Sequence, residues 1–259
     1  MKHEEDKELY VKYEVDGEIA FITLNDPEHR NVLSRPLREQ LRSAFEQFAQ
    51  DTAKVAILTG AGDKAFCAGA DLKEIADEGT GVPGRYYVPM LNRNIWVDKP
   101  VIAAVNGDAI GGGFMLVQNC DLAIAADHAR FGMPEAKWGR GAPWSVSLSW
   151  MIPQRIWMEM LLTGNLITAQ RAYEVGFINL VVPLSNLMDA AKSMARQIAD
   201  NAPLTVQASR KMVYLTMEMG RTAAWDVADA LFEQVYKSED AKEGPLAFKE
   251  KRKPQWKNR

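Results

Sequence analysis

The sequence predicts an α/β fold closed by a helical C-terminal region, and three features predict it. Short runs that are apolar almost throughout, Val55-Ala-Ile-Leu-Thr59, Val101 to Val105 and Leu122 to Ala125, suit strands buried on both faces. Before them, Leu37, Leu41, Ala44, Phe45 and Phe48 recur at helical spacing on one face. From about residue 186 the pattern turns wholly helical. Leu187, Ala190, Ala191, Met194, Ala195 and Ile198 form one stripe, and Ala224, Val227, Ala228, Leu231, Phe232 and Val235 form another. Stripes this wide need covering, either by the first part of the chain or by another subunit.

Taken in order, Leu9 to Leu24 reads as a hairpin whose two alternating runs flank Asp16-Gly17, a favoured two-residue turn. Ser34 offers an N-cap, with Pro36 in the first turn of the helix that follows. The strand from Val55 ends at Gly60. Asp77 to Pro89 holds three glycines, two prolines and two tyrosines and predicts an irregular segment. Gly111-Gly112-Gly113 follows a strand and precedes Phe114 to Val117, a short apolar run that could start a helix. There is no tandem repeat and no low-complexity tract.

Composition bounds the function. The 259 residues are 47% hydrophobic and 25% charged, an ordinary globular balance. Thirty-one basic against thirty-four acidic residues give a net charge of −3, which offers no global attraction for nucleic acid. The opening Met1-Lys2-His3-Glu4-Glu5-Asp6 lacks the apolar core of a signal peptide, and no run reaches the length of a membrane span. The expected location is cytoplasmic, with no membrane partner. Cys67 and Cys120 have no CxxC spacing, and Cys67 lacks an obvious base, so it reads as an inert buried thiol.

The chemistry concentrates in Lys64-Ala-Phe-Cys-Ala-Gly-Ala-Asp-Leu72, the glycines at 111–113 and Glu135. Glycine permits a sharp turn at which the next N–H points into a cavity, and the start of a helix adds unpaired N–H groups that favour negative charge. Two such donors on one carbonyl oxygen, with one carboxylate to move a proton, are the minimum equipment for making an enolate from a thioester. Competing chemistries lack their residues. Gly60-Ala61-Gly62-Asp63-Lys64 lacks the spacing of a nucleotide loop, and there is no GxSxG. His3, His29 and His128 sit in no catalytic context, and His3-Glu4-Glu5 lacks the second histidine of a zinc helix, so no metal is expected.

Phe66-Cys-Ala-Gly-Ala-Asp-Leu72, Pro100-Val-Ile-Ala-Ala-Val-Asn-Gly107, Gly111-Gly112-Gly113, Cys120-Asp121, Phe131-Gly-Met-Pro-Glu135 and Leu162-Thr-Gly164 together resemble the crotonase superfamily, the enoyl-CoA hydratases and isomerases. The order and spacing hold from about residue 9 to the C-terminus. The resemblance implies a crotonase-type spiral of strand-strand-helix units over residues 1–185, carrying the CoA and acyl site. Residues 186–259 would form a helical region for trimerisation and CoA contacts, in a homotrimer or a hexamer of paired trimers. It implies oxyanion-hole N–H groups at Ala70 and Gly112 and an acid/base at Glu135. Coenzyme A, as part of the substrate and with no tightly bound cofactor beside it, would bend past residues 66–73. Arg30, Ala68 and Lys73 would contact it, and Phe248 and Lys251 would reach it from the basic tail, often across a subunit boundary.

Two positions depart from the family pattern. The first glutamate of the hydratase pair belongs two residues after Gly113, where this chain has Met115. Near residue 28, where relatives often carry a lysine for CoA, this chain has Glu28, with Arg30 close by. Met115 cannot orient water, and an apolar wall there raises the proton affinity of Glu135 by desolvation. A lone carboxylate suits removal of a proton at C2 of a 3-enoyl-CoA and its return at C4, so double-bond isomerisation is the leading expectation. Ala142-Pro143-Trp144 resembles the isomerases. Ser238 to Phe248 instead resembles carnitinyl-CoA dehydratases and hydratases, so hydration or dehydration is the alternative, and a catalytically degenerate acyl-CoA binder is the third reading. Trp138, Arg140 and Trp144, following Glu135, are expected to shape the acyl pocket, with Tyr86 and Tyr87 available to close over it.

Overall fold

The computed structural model describes residues 8–79 and 81–259. The first unit is a hairpin, β1 (Val11–Asp16) and β2 (Ile19–Leu24), followed by α1 (Arg35–Gln50). The hairpin turn falls one residue later than the Asp16-Gly17 expectation. Asp16 pairs with Ile19, and Gly17, at φ 60, takes the first of two turn positions. Ser34 holds the N-cap position of α1, but its hydroxyl makes no cap hydrogen bond.

Thereafter each unit sends one strand into each of two sheets. β3 (Val55–Gly60) is followed by β4 (Ala65–Cys67) and α2 (Leu72–Glu78). β5 (Val101–Val105) is followed by β6 (Asp108–Ile110) and α3 (Gly112–Gln118). β7 (Leu122–Ala126) is followed by β8 (Arg130–Gly132), two 3-10 turns, α4 (Gln154–Thr163), β9 (Ile167–Thr168), α5 (Ala169–Glu174) and β10 (Leu180–Val182). The larger sheet runs β1-β2-β3-β5-β7-β10 and is parallel except for the hairpin. The smaller runs β4-β6-β8-β9. Its strands are two or three residues long, too short for any periodicity to register in the sequence.

The larger sheet is buried on both faces, which explains its uniformly apolar strands. Ala56 and Leu58, Val101, Ala103 and Val105 face α1 and the smaller sheet. Val55, Ile57, Ile102, Ala104 and Ile124 face the opposite way, onto α6 (Leu187–Ala199), which buries Leu187, Ala191, Ala195 and Ala199 there. Beyond α6 lie α7 (Pro203–Thr216), α8 (Arg221–Lys237) and α9 (Asp240–Glu250). α7 and α8 pack on each other, and α8 buries none of its residues. α7 is tied to the body by Arg210 and Tyr214, whose Nε and Oη both donate to Asp121 Oδ1 at 2.8 Å, while Asp121 Oδ2 accepts from Val101 N.

Candidate active site

β4 and β6 lie side by side in the smaller sheet, so the turns that leave them meet. Gly69 has φ 95 and Gly111 has φ 55 with ψ −116, conformations that suit only glycine without strain. In each turn the next residue carries the N–H in question, Ala70 or Gly112. The turns interlock. A Cβ on Gly69 would lie 2.7 Å from Ile110 O and 3.4 Å from Gly112 N, and one on Gly113 would lie 2.0 Å from Cys67 O. Among the described residues, neither the Ala70 nor the Gly112 N–H donates to a backbone carbonyl. Two adjacent unpaired donors are thus available to one acceptor.

Glu135 arrives from β8 on the 3-10 turn Pro134–Trp138, which Gly132 O anchors by accepting from Gly111 N at 2.9 Å. Its carboxyl lies directly over Gly111: a Cβ there would come within 3.1 Å of Glu135 Oε1. Glu135 Oε2 is buried and has no hydrogen-bond partner among the described residues. Burial pushes the carboxyl above the usual glutamate range, because removal from water penalises the charged form. Met115, on the first turn of α3, is buried in the core, so the expected apolar residue stands in this helix. An acceptor with raised proton affinity, next to two free donors, can take a proton from carbon as negative charge develops on the neighbouring oxygen.

The residues after Glu135 divide. Trp144 is half-buried, its ring 6.1 Å from Phe114 of α3, which in turn stacks on Phe177 at 4.6 Å. Arg140 is half-buried, and its N–H closes the turn on Glu135 O at 2.9 Å. Trp138 is not drawn into the same packing; it is 62% exposed. Tyr86 and Tyr87 pack on α1: Arg42 Nη2 donates to Tyr86 O, and the Arg38 guanidinium lies 4.1 Å from the Tyr87 ring centre.

Arg30 and Ala68 are joined by Ala68 N donating to Arg30 O at 3.0 Å, which runs the 27–31 turn alongside the β4 turn. Lys73, at the start of α2, is exposed and close enough to lower the proton affinity of His29, which its contact with Asp26 raises. Phe248 is 88% exposed and Lys251 is exposed in the left-handed conformation that ends α9. Much of the basic tail is neutralised locally. Arg252 pairs with Glu243 and Glu250, while Lys257 and Arg259 pair with Glu239.

Several supporting residues carry none of the expected chemistry, although Asn106 lies within the Pro100 to Gly107 motif. Buried Asn31 donates to Ala61 O and Ala65 O and accepts from Asp26 N; Asn106 accepts from Gly60 N and donates to Gly62 O and Ala65 O. These amides fix the loops that deliver Arg30 and Ala68. Arg38, on the buried face of α1, donates to Leu33 O and to Glu74 Oε1 at 2.6 Å. Leu33 in turn donates to Gly69 O at 2.8 Å, and its Cδ1 fills the space beside Gly112. The one available signal was an arginine inside an otherwise apolar helix stripe. Cys67 is buried and its thiol is pushed up to about 12 by desolvation, which removes it as a nucleophile. His29 and His128 bond Asp26 Oδ1 and Asp63 O; His3 lies outside the described residues.

Comparison with known proteins agrees with this geometry. A family model described as Enoyl-CoA hydratase/isomerase matches residues 14–259. The carnitinyl-CoA dehydratase of Proteus mirabilis is 38% identical over 255 residues, covering 94% of this chain and 96% of its own. The (E)-benzylidenesuccinyl-CoA hydratase of Thauera aromatica is 38% identical over 251 residues, covering 94% and 97%. Among solved structures, an enoyl-CoA hydratase from Mycobacterium tuberculosis superposes with a TM-score of 0.89 at 35% identity, covering 97% of this chain and all of that one.

Proposed function

The chain belongs to the enoyl-CoA hydratase/isomerase family, the crotonase enzymes, and from that premise we propose that it isomerises an enoyl-CoA with Glu135 as its single acid/base. The thioester oxygen sits between the Ala70 and Gly112 N–H groups. Glu135 removes a proton from C2 of the 3-enoyl thioester, the electron pair moves onto that oxygen as a dienolate, and the same carboxyl returns the proton at C4 to give the 2-enoyl product. Each donor contributes about 3 kcal/mol to the barrier reduction. The observation that carries the reading is the buried, unpartnered Glu135 Oε2 beside two free N–H groups, on a helix that offers Met115 rather than a second carboxylate. Met115, Arg140 and Trp144 line the acyl side in this reading, and Trp138 stands at its mouth.

The CoA moiety runs along Arg30, Ala68 and Lys73, with its phosphates met by the cations. Phe248 and Lys251 complete that groove from a neighbouring subunit. The support is that both are exposed and neither forms a hydrogen bond or ion pair with residues 27–35 or 66–73 of its own chain among the described residues. A homotrimer or hexamer built on α7 and α8 fits the exposed Val213 of α7, Met217 at its C-terminal end, and the exposed Trp225 and Tyr236 of α8.

Hydration or dehydration is the second reading, favoured by the dehydratase and hydratase names of the two relatives and by the likeness of Ser238 to Phe248 to such enzymes. Deuterated water separates the two. Incubation with 3-enoyl-CoA and 2-enoyl-CoA panels should give double-bond migration and exchange at C2, both falling about 10²–10⁴-fold in Glu135→Gln. Fast formation of 3-hydroxyacyl-CoA would replace this reading with hydration. Tight thioester binding with no exchange and no product would leave a degenerate binder.

A further inference from the structure

Two buried side-chain oxygens lack a partner at opposite ends of one helix: Glu135 Oε2, over the start of α3, and Gln118 Oε1, at its last residue. We propose that Gln118 determines acyl specificity, its Oε1 accepting a hydrogen bond from a hydroxyl or amide N–H carried on the acyl group remote from the thioester. The inference rests on the acyl-CoA reading of the site given above.

Gly111, Met115 and Gln118 stand four and three residues apart and so share one face of α3. That face looks at the chain segment following β8 from both ends. Gly111 abuts the Glu135 carboxyl, and Gln118 Nε2 donates to Trp144 O at 2.9 Å. Met115 lies between them. In the acyl-CoA reading, an acyl chain running from Glu135 along this face would pass a carboxyl, a thioether and an amide.

Gln118 is only 2% exposed. Its orientation follows from its partner. A carbonyl accepts and cannot donate, so the NH₂ group must face Trp144 O, and the oxygen is the atom left over. A buried acceptor without a donor is a standing cost. Leucine or methionine would fill the same position of this apolar helix without it. At 1.5 Å per residue, Gln118 lies about 9 Å along the axis from Gly112, which places the donor well beyond the carbons that exchange protons.

Binding of saturated thioesters tests this apart from catalysis. Butanoyl- to octanoyl-CoA and their ω-hydroxy counterparts are titrated by calorimetry into the wild type, Gln118→Met and Gln118→Leu, with free CoA as control. At one chain length the wild type should bind the hydroxylated thioester about tenfold more tightly, or better. Both variants should lose that preference while binding CoA unchanged. Equal affinities in the wild type at every length, or a preference that survives in both variants, overturn the assignment but leave the acyl-CoA site standing. Failure of the wild type to bind any thioester removes the site and the assignment together. Melting curves identify a variant that does not fold, and the other replacement then decides.

Discussion

Around Glu135 the molecule buries polar atoms that it does not pair, whereas along α7 and α8 it leaves apolar side chains uncovered. Glu135 Oε2 and Gln118 Oε1 are enclosed without partners, and the Ala70 and Gly112 N–H groups are free of backbone acceptors. On the C-terminal arm the polar groups are satisfied by Arg252–Glu243 and Lys257–Glu239 pairs, while Trp225, Tyr236 and Phe248 stand 64%, 78% and 88% exposed. Among the described residues, the first region lacks partners for buried polar atoms and the second lacks cover for apolar side chains. Substitutions should therefore behave in opposite ways in the two places.

The largest contrast is at glycine. A Cβ at Gly113 would lie 2.0 Å from the Cys67 carbonyl oxygen, a backbone atom that cannot swing aside. Gly113→Ala should destabilise by more than about 4 kcal/mol or abolish soluble expression. Gly220→Ala, before α8, meets nothing within 4 Å and has an ordinary φ of −69; it should be neutral or stabilising by about 0.5 kcal/mol. Chemical denaturation of the two variants checks both.

Next in size is the Arg38–Glu74 pair, whose side chains are 8% and 16% exposed. Arg38→Met leaves a buried carboxylate and releases Leu33 O, and should cost about 3–5 kcal/mol. Removing an arm pair, Lys237→Met beside Glu233, should cost no more than about 0.5 kcal/mol, since both side chains are well exposed.

These contrasts also explain what the sequence could and could not reveal. Uniformly apolar runs located β3, β5 and β7 because burial on both faces leaves a signature at every position. The stripes of α6 and α8 looked alike in sequence, yet α6 is sealed against the larger sheet and α8 is not. Periodicity reports that a face needs cover, not what supplies it. The turns before Ala70 and Gly112 showed in the sequence through their glycines, whereas the roles proposed for these residues and for Glu135 came from the resemblance of their motifs to a known family. Gln118 was invisible because a glutamine's worth depends on which of its atoms has a partner. Nearness to Glu135 alone suggested Trp138 for the pocket, and its indole is 62% exposed.

The exposed apolar side chains of α8 supply a third comparison. In the proposed oligomer, replacing the exposed Trp225 and Tyr236 of α8 by Glu should release monomers, at about 2 kcal/mol per side chain, with the body still folded. Sedimentation should show one lighter species with unchanged far-UV dichroism. The covered stripe on α6 gives the opposite outcome: Ala191→Glu or Ala195→Glu should unfold the body itself, since both residues are fully buried against the sheet.

The smallest effects have opposite signs in the two regions and are read from pH. Burial raises the Glu135 carboxyl above its unfolded value, so the native state holds the proton more tightly. Below about pH 4 both states are protonated and Glu135 costs nothing. As pH rises through the folded value the buried carboxylate must ionise, and stability falls by about 1.4 kcal/mol for each unit of elevation. Glu135→Gln should therefore melt higher than wild type at pH 8, with the gap closing toward pH 4. Glu243 is held down to about 2 by its bond to Arg252 and by the Gln255 N–H. Its contribution is present above the unfolded value near pH 4.5 and is lost as pH falls toward 2, so Glu243→Gln should melt lower at neutral pH and match wild type in acid. Melting curves across pH 2–8 should meet the wild-type curve in acid from opposite sides, Glu135→Gln from above and Glu243→Gln from below, and curves that move together would mean that Glu135 is solvated like any surface carboxylate.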